Sequence, residues 1–499
     1  MTTQRDLCFT PAVELSKLYR ARKVSPLEVM QAVLARIDAV NPTVNAIVTL
    51  TREAALREAR RATAALRRSS TLPPLFGVPV GIKDVTQTKG IRTTFGSKLF
   101  EGHVPDEDAL VVQRLRNAGA IVIGKTNTPE FAFGPNTVNS VFGATRNPWN
   151  LALTAGGSSG GSAAALATGM CPLAEGTDLG GSLRGPASYC GVVGFRTTPG
   201  LIPRYPSVLA WDTYSVEGPM ARTVADAAIL LGALTGVDER DSATKGSRKR
   251  ALSNYAKYLD LNGLKGARIG VARNMAGTNP RILKIFELCI EVMKQLGAVI
   301  VDPANVPNFD KFGPSELEVL HYEFKADLNK YLKSLAGSVR VHSMDDVIKF
   351  NEAGGEHVMP YFGQERMLTA QEKGPLSEKK YKAALAKNLR LTRKDGIDAA
   401  LQKHKLDAII VPSGGPAWTI DLANGDAINW DMESTSPAAV AGYPHITVPA
   451  GYVFGLPVGI SFFSKAWQEP NLIKFAYAFE QATQYRRQPR YLPTANLNV

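Results

Sequence analysis

Two short stretches place serines where glycines leave the backbone open. In TAGGSSGGSAAALATG (154–169), Ser158 and Ser159 lie between glycine pairs; in EGTDLGGSLRGPASYCG (175–191), Ser182 follows Gly180 and Gly181. Upstream, GVPVGIKD brings an apolar run to an end at Lys83. A serine hydroxyl is a weak nucleophile until a base takes its proton. Lysine serves as that base only when neutral, and burial can lower its pKa by up to about 3–5 units. A second serine between the two can relay the proton, because a hydroxyl both donates and accepts. Backbone N–H groups of a glycine turn can converge on the oxygen that turns negative in a tetrahedral intermediate. Each part also has a plainer reading: a lysine ending an apolar run is commonly a surface residue with a buried stem, and the serines can simply turn the chain.

Other patterns compete for the same stretches. GAIVIGKT (119–126) satisfies the phosphate-loop pattern G-x-x-x-x-G-K-[ST], which would make the chain a nucleotide-binding protein. Its variable positions are Ala, Ile, Val and Ile, however, and NTPEF follows instead of a helix, so a strand ending in a turn is expected. G-x-S-x-G, the nucleophile elbow of Ser-His-Asp hydrolases, matches twice, centred on Ser158 and on Ser159. The entry RNPWNLALTAGG is a poor strand, and His321, His342, His357, His404 and His445 sit in no recognisable motif. HExxH is absent, so neither a metal nor a cofactor is expected.

The elements that must position these residues alternate in character. SPLEVMQAVLARIDAVNP reads as a helix with a Ser-Pro start and a stop before Pro42, and residues 1–70 as a helical N-terminal arm. From residue 71 onward, short β-branched runs recur between helical segments: GVPVGIK, AIVIGK, ARIGVAR, AVIVD, DAIIVP, HITVPA and PVGISFF. That alternation predicts an α/β fold, one large domain spanning 71–499 whose sheet is covered by helices on both faces. A mainly helical insertion is expected at about 240–405, most charged and helical over 310–405.

At 499 residues, with 44% hydrophobic and 21% charged side chains, the chain can bury a large core. It has no 18-residue apolar run and no apolar leader after MTTQRDLCFT, and its four cysteines show no pairing pattern. These features predict a cytoplasmic protein with no membrane partner. The formal charge of +13 allows an anionic partner. Arg and Glu mix at helical spacing in REAALREARRATAALRRS, however, which favours a solvated surface over a nucleic-acid site.

Taken together, the motifs resemble the amidase signature family. GGSSGGSA and DLGGSLRGPA occur in the family's order, Lys83 precedes Ser158 by 75 residues, and Ser158 precedes Ser182 by 24. The likeness continues through GKTNTPEF, RNPW, GVVGFRTTPG and GPMARTVADAA to SPAAVAGYPHITVPAG and GLPVGISFF, and is weakest over 240–400. It implies the family's fold, with a mixed sheet, and an amide hydrolase working through a covalent acyl-enzyme on a small-molecule amide, with esters and carbamates as side substrates. By the same resemblance Ser182 is the nucleophile, Ser158 a bridging serine on a cis peptide, and Lys83 the base. The N–H groups of Leu179, Gly180, Gly181 and Ser182 form the oxyanion hole. Ala132, with Ser158, lines the substrate site, and Ser159, Asp178 and Arg184 support the loops. Leu179 stands where the family usually has Thr, and Gly185 where a larger residue is common; both changes bear on the pocket, not on the main-chain donors. The family's dimers make a homodimer one expected assembly, and its amidotransferase A-type subunits, which supply ammonia for tRNA-dependent amidation, are the alternative function.

Overall fold

The computed structural model describes residues 4–66, 68, 71–206, 211–335, 339–425, 428 and 434–494. Within them, one mixed sheet of eleven strands runs through the molecule. In chain order these are β1 (Ile47–Leu50), β2 (Pro79–Lys83), β3 (Ile121–Thr126), β4 (Leu173–Asp178), β5 (Val193–Arg196), β6 (Val216–Ala221), β7 (Arg268–Val271), β8 (Val299–Val301), β9 (Ala408–Pro412), β10 (His445–Val453) and β11 (Leu456–Phe463). Their spatial order is β1-β3-β2-β4-β6-β5-β10-β11-β9-β7-β8. β3, β2 and β4 are parallel neighbours, β6 is antiparallel to both β4 and β5, and β7 is parallel to both β8 and β9.

Every residue of β2, β3, β4 and β6 is buried. That is the expected state of strands covered on both faces. Helices Gly160–Ala167, Arg184–Cys190, Val224–Leu234 and Glu469–Thr483 pack on the sheet. In the first, GGSAAALA, all eight residues are buried; its small side chains let the helix lie close to the strands.

The N-terminal residues are not a free arm. Leu7, Leu15, Tyr19, Val29 and Ile37 join the same apolar core as β2 and β3, and Ile47–Leu50 adds an edge strand antiparallel to β3. The helix Pro26–Val44 carries a capping box at Ser25 and runs through Pro42 to end on Asn45 in the left-handed conformation. A proline in the last turn forfeits one hydrogen bond and does not stop the helix there. The stretch 240–405 is likewise not helical throughout. Residues 268–301 supply β7, helix Pro280–Gln295 and β8, while Gly313–Ser334, Met344–Gly354, Glu365–Gln371 and Lys379–Leu389 are helical. Those later helices build a second apolar cluster, separate from the sheet core, with Phe95, Phe100, Phe131, Ala132 and Trp211.

Candidate active site

Lys83 is the last residue of β2, between β3 and β4, and its side chain is fully buried. Its Nζ donates to Ser158 Oγ at 2.6 Å and to Thr177 Oγ1 at 2.7 Å. Burial lowers its pKa to about 7, against the opposing pull of Glu175, Glu217 and Asp178. The amine is therefore neutral in a large fraction of molecules at ordinary pH, which an exposed lysine would not be. Asp84 turns away: its carboxyl accepts from the Thr94 hydroxyl at 2.5 Å and lies beside Lys125.

Ser158 follows a cis Gly157–Ser158 peptide and is buried. Gly157 leaves no room for a side chain, since a Cβ there would come within 2.6 Å of the Gly134 carbonyl oxygen. Ser159 sits at the start of helix Gly160–Ala167 but does not cap it. Its hydroxyl instead donates to the Thr177 carbonyl at 3.2 Å and accepts from the Thr177 N–H at 3.3 Å, tying the serine loop to β4.

Ser182 lies just past β4, half-buried on the wall of a cavity shared with Ala132, Gly157, Gly181, Tyr189 and Trp418. The Ser182 carbonyl accepts from Ser159 N–H at 3.1 Å, so the two serine loops are in direct contact. Among the described residues no hydrogen bond joins the Ser158 and Ser182 hydroxyls, and none uses the N–H of Leu179, Gly180, Gly181 or Ser182 as donor. Four successive free donors beside a serine at a cavity wall can receive an oxyanion.

Asp178 and Arg184 hold this loop in shape. Asp178 Oδ2 accepts from Leu183 N–H and Arg184 Nε, both at 3.0 Å; its Oδ1 accepts from Arg184 and Arg196, both at 2.9 Å. Burial alone would push this carboxyl up, but the two guanidiniums and their hydrogen bonds overcome it and hold the group well below the usual carboxylate range. Arg184 also donates to the Thr435 carbonyl and meets His445 Nδ1, each at 2.8 Å. His445 is thus part of the scaffold. Burial, reinforced by Arg184, keeps its pKa well below the ordinary value, and no histidine lines the cavity among the described residues.

Motif reading does not single out Thr177, Glu175, Tyr189, Trp418 or Arg366. Thr177 and Glu175 lie two residues apart on one face of β4, directly before DLGGS, so strand periodicity is the available signal. Tyr189 lies seven residues after Ser182, and its ring meets that of Trp418 with centroids 5.2 Å apart; Trp418 and Arg366 come from distant segments, and nothing local marks them. GAIVIGKT is β3: its Lys125 is buried, with Nζ donating to the Thr88 hydroxyl at 2.8 Å and to the Thr86 carbonyl, and it opens no phosphate loop.

The Amidase family model matches residues 28–473. The chain belongs to the amidase family. It is 36% identical over 489 residues to the A-type subunit of the glutamyl-tRNA(Gln) amidotransferase of Carboxydothermus hydrogenoformans, covering 97% of this chain and 99% of that one. Among solved structures, the native peptide amidase of Stenotrophomonas maltophilia superposes with a TM-score of 0.91 at 37% identity, covering 97% and 98% of the two chains. A bacterial aryl acylamidase superposes at 0.81 with 25% identity, covering 96% and 98%. Membership of the amidase family makes this an enzyme acting on amide C–N bonds, as a hydrolase or an amidotransferase. Among the described residues no helix is long and apolar enough to cross a membrane.

Proposed function

We propose that the chain is a self-sufficient amide hydrolase in which Ser182 forms the acyl-enzyme, Ser158 relays the proton and Lys83 is the base. The observation that carries this reading is the 2.6 Å contact between a buried Lys83 Nζ and Ser158 Oγ, one loop contact away from Ser182. A neutral Lys83 takes the Ser158 proton as Ser158 takes that of Ser182. Ser182 Oγ adds to the amide carbonyl, and the N–H groups of Leu179 to Ser182 stabilise the oxyanion. The proton then returns through Ser158 to the leaving nitrogen, and water repeats the sequence to release the acid. The two serine hydroxyls close to hydrogen-bond distance when substrate fills the cavity, a tightening expected of catalytic contacts that are loose in a free enzyme.

For substrate we favour primary amides with an aromatic or aliphatic acyl part, such as C-terminal peptide amides. Tyr189, Trp418 and Phe133 give the cavity apolar walls, and Arg366 is its one charged lining residue among those described; the likeness to the peptide amidase points the same way. A second reading, ammonia supply within an amidotransferase, is favoured by the likeness to the amidotransferase A-type subunits. Ammonia release from short peptide amides, anilides and glutamine, measured on the purified chain, separates the two. Turnover of peptide amides, labelling by a fluorophosphonate at Ser182, and loss of both in Ser182→Ala are expected. Turnover of glutamine alone, and only when companion subunits are added, would overturn the hydrolase reading in favour of the second.

A further inference from the structure

Behind Lys83 lie two buried carboxyls that the proposed reaction does not use. Glu175 on β4 is 0% exposed and Glu217 on β6 is 1% exposed. The strands are antiparallel, with Glu217 opposite Thr177 and Glu175 opposite Pro219, so both carboxyls share a face with Thr177 and meet on the diagonal. Glu175 Oε2 accepts from the Lys83 backbone N–H at 3.0 Å and from the Thr86 hydroxyl at 3.1 Å. Among the described residues no donor group reaches Glu175 Oε1 or Glu217 Oε2, and the two carboxyls are close enough for a hydrogen bond once one of them carries a proton. Two carboxylates in such contact repel, whereas a proton between them makes the same contact a hydrogen bond. Burial first, and then Glu175 itself, raise the Glu217 pKa well above the ordinary range.

We propose that Glu175 and Glu217 hold one proton between them and act as positioning residues, presenting a single negative charge to Lys83 while clamping the end of the strand that carries it. The proposal rests on the reading of Lys83 as the base. Two charges here would hold Lys83 as an ammonium, unable to take a proton. None would leave the ammonium that forms during the reaction without a counter-charge in a dry site. The other charged groups around Lys83 do not do this work. Asp178 on β4 is matched by Arg184 and Arg196, Asp84 lies beside Lys125, and Lys125 on β3 is spent on Thr86 and Thr88.

The test is the pH profile of kcat/KM on a neutral amide for the wild type, E217Q, E175Q/E217Q and K83A, with an infrared difference spectrum of wild type minus E217Q. With one shared proton, E217Q still carries the single charge on Glu175, so its acid limb stays in place. The double variant loses the charge, and its limb moves to lower pH by about one unit or more. The infrared difference should contain a protonated-carboxyl stretch, a signal that needs no activity and survives a double variant that fails to fold. A limb that E217Q moves part of the way and the double variant moves further would mean two charges, a limb that both move equally would put the charge on Glu217 alone, and a limb that neither moves would mean none; each of these results overturns the proposal, as does a difference spectrum without the band. A limb that persists in an active K83A would instead overturn Lys83 as the base, while the infrared band still decides the proton.

Discussion

At Lys83 the fold keeps an amine whose pKa burial lowers to about 7, although Glu175, Glu217 and Asp178 oppose the shift. Only the neutral form is competent, so kcat/KM should rise with pH through that value and level off by about pH 8–9. An ordinary histidine titrates near 6.5, so the position of the limb does not by itself identify the base. Substitution does. Lys83→Ala should cost about 10²–10⁴-fold and abolish the limb, whereas His445→Asn, which touches only Arg184 and the scaffold, should leave the limb where it is. The same shift has a consequence for stability. A lysine with a lowered folded pKa binds its proton more readily in the unfolded chain, so folding is penalised below about pH 7 and the penalty fades as pH rises towards the ordinary value near 10.5. Urea titrations of Lys83→Met and wild type across pH 7–10 should therefore show the variant's relative stability falling steadily with pH. A constant difference would mean that Lys83 is not held neutral.

Of the strands that build the site, β2 is legible in the sequence, and β4, β5 and β6 are the hardest to read. β2, β3, β7, β9, β10 and β11 show as β-branched runs, and their burial follows from that pattern. β4 (LAEGTD), β5 (VGFR) and β6 (VEGPMA) do not, because Glu175, Thr177, Asp178, Arg196 and Glu217 occupy positions where a buried strand would ordinarily be apolar. Those residues serve the lysine and the loop, so the pattern fails where function takes the positions. The proposed catalytic serines are legible for the opposite reason: Ser158 and Ser182 each sit beside their own glycines in sequence, and the loop geometry is encoded locally. At Gly181, φ is +149° and an added Cβ would lie 2.5 Å from Thr435 Oγ1. Gly181→Ala should therefore displace the row of N–H donors and lower kcat by about 10²-fold or more. Fluorophosphonate labelling should slow in parallel, with the unfolding midpoint little changed. Full activity would remove the Leu179–Ser182 backbone from the oxyanion site.

At the scale of the whole molecule, the two largest apolar clusters are separate, and the helical one supplies Ala132, Phe133 and Leu179 to the wall of the candidate cavity. The sheet core reaches back to the N-terminal helices, which a division of the sequence at residue 70 could not reveal, because Leu7, Tyr19 and Ile47 find their partners only through long-range packing. The second core belongs to the helices of 313–389 and holds the loop that carries Phe131, Ala132 and Phe133. Phe133, a cavity wall, packs against Trp211 at 4.9 Å and Phe324 at 5.1 Å, while Arg366 crosses its ring at 4.7 Å. Trp211 and Phe324 are themselves stacked at 5.0 Å, and the Trp211 indole N–H donates to the Leu320 carbonyl at 2.9 Å. This second core thus backs the Phe133 wall of the candidate cavity, and Lys83, Ser158 and Ser182 are not among its residues. Phe324→Ala opens a void behind Phe133 and should lower stability by about 3–5 kcal/mol, with Phe324→Leu as the milder form if the first is too unstable to assay. In either variant KM for an aromatic amide should rise several-fold while kcat and the pH limb stay near wild type, because ground-state and transition-state binding to the wall are lost together. A fall in kcat at unchanged KM would instead place the influence of this core on the serines, and the wall would not be its route of action.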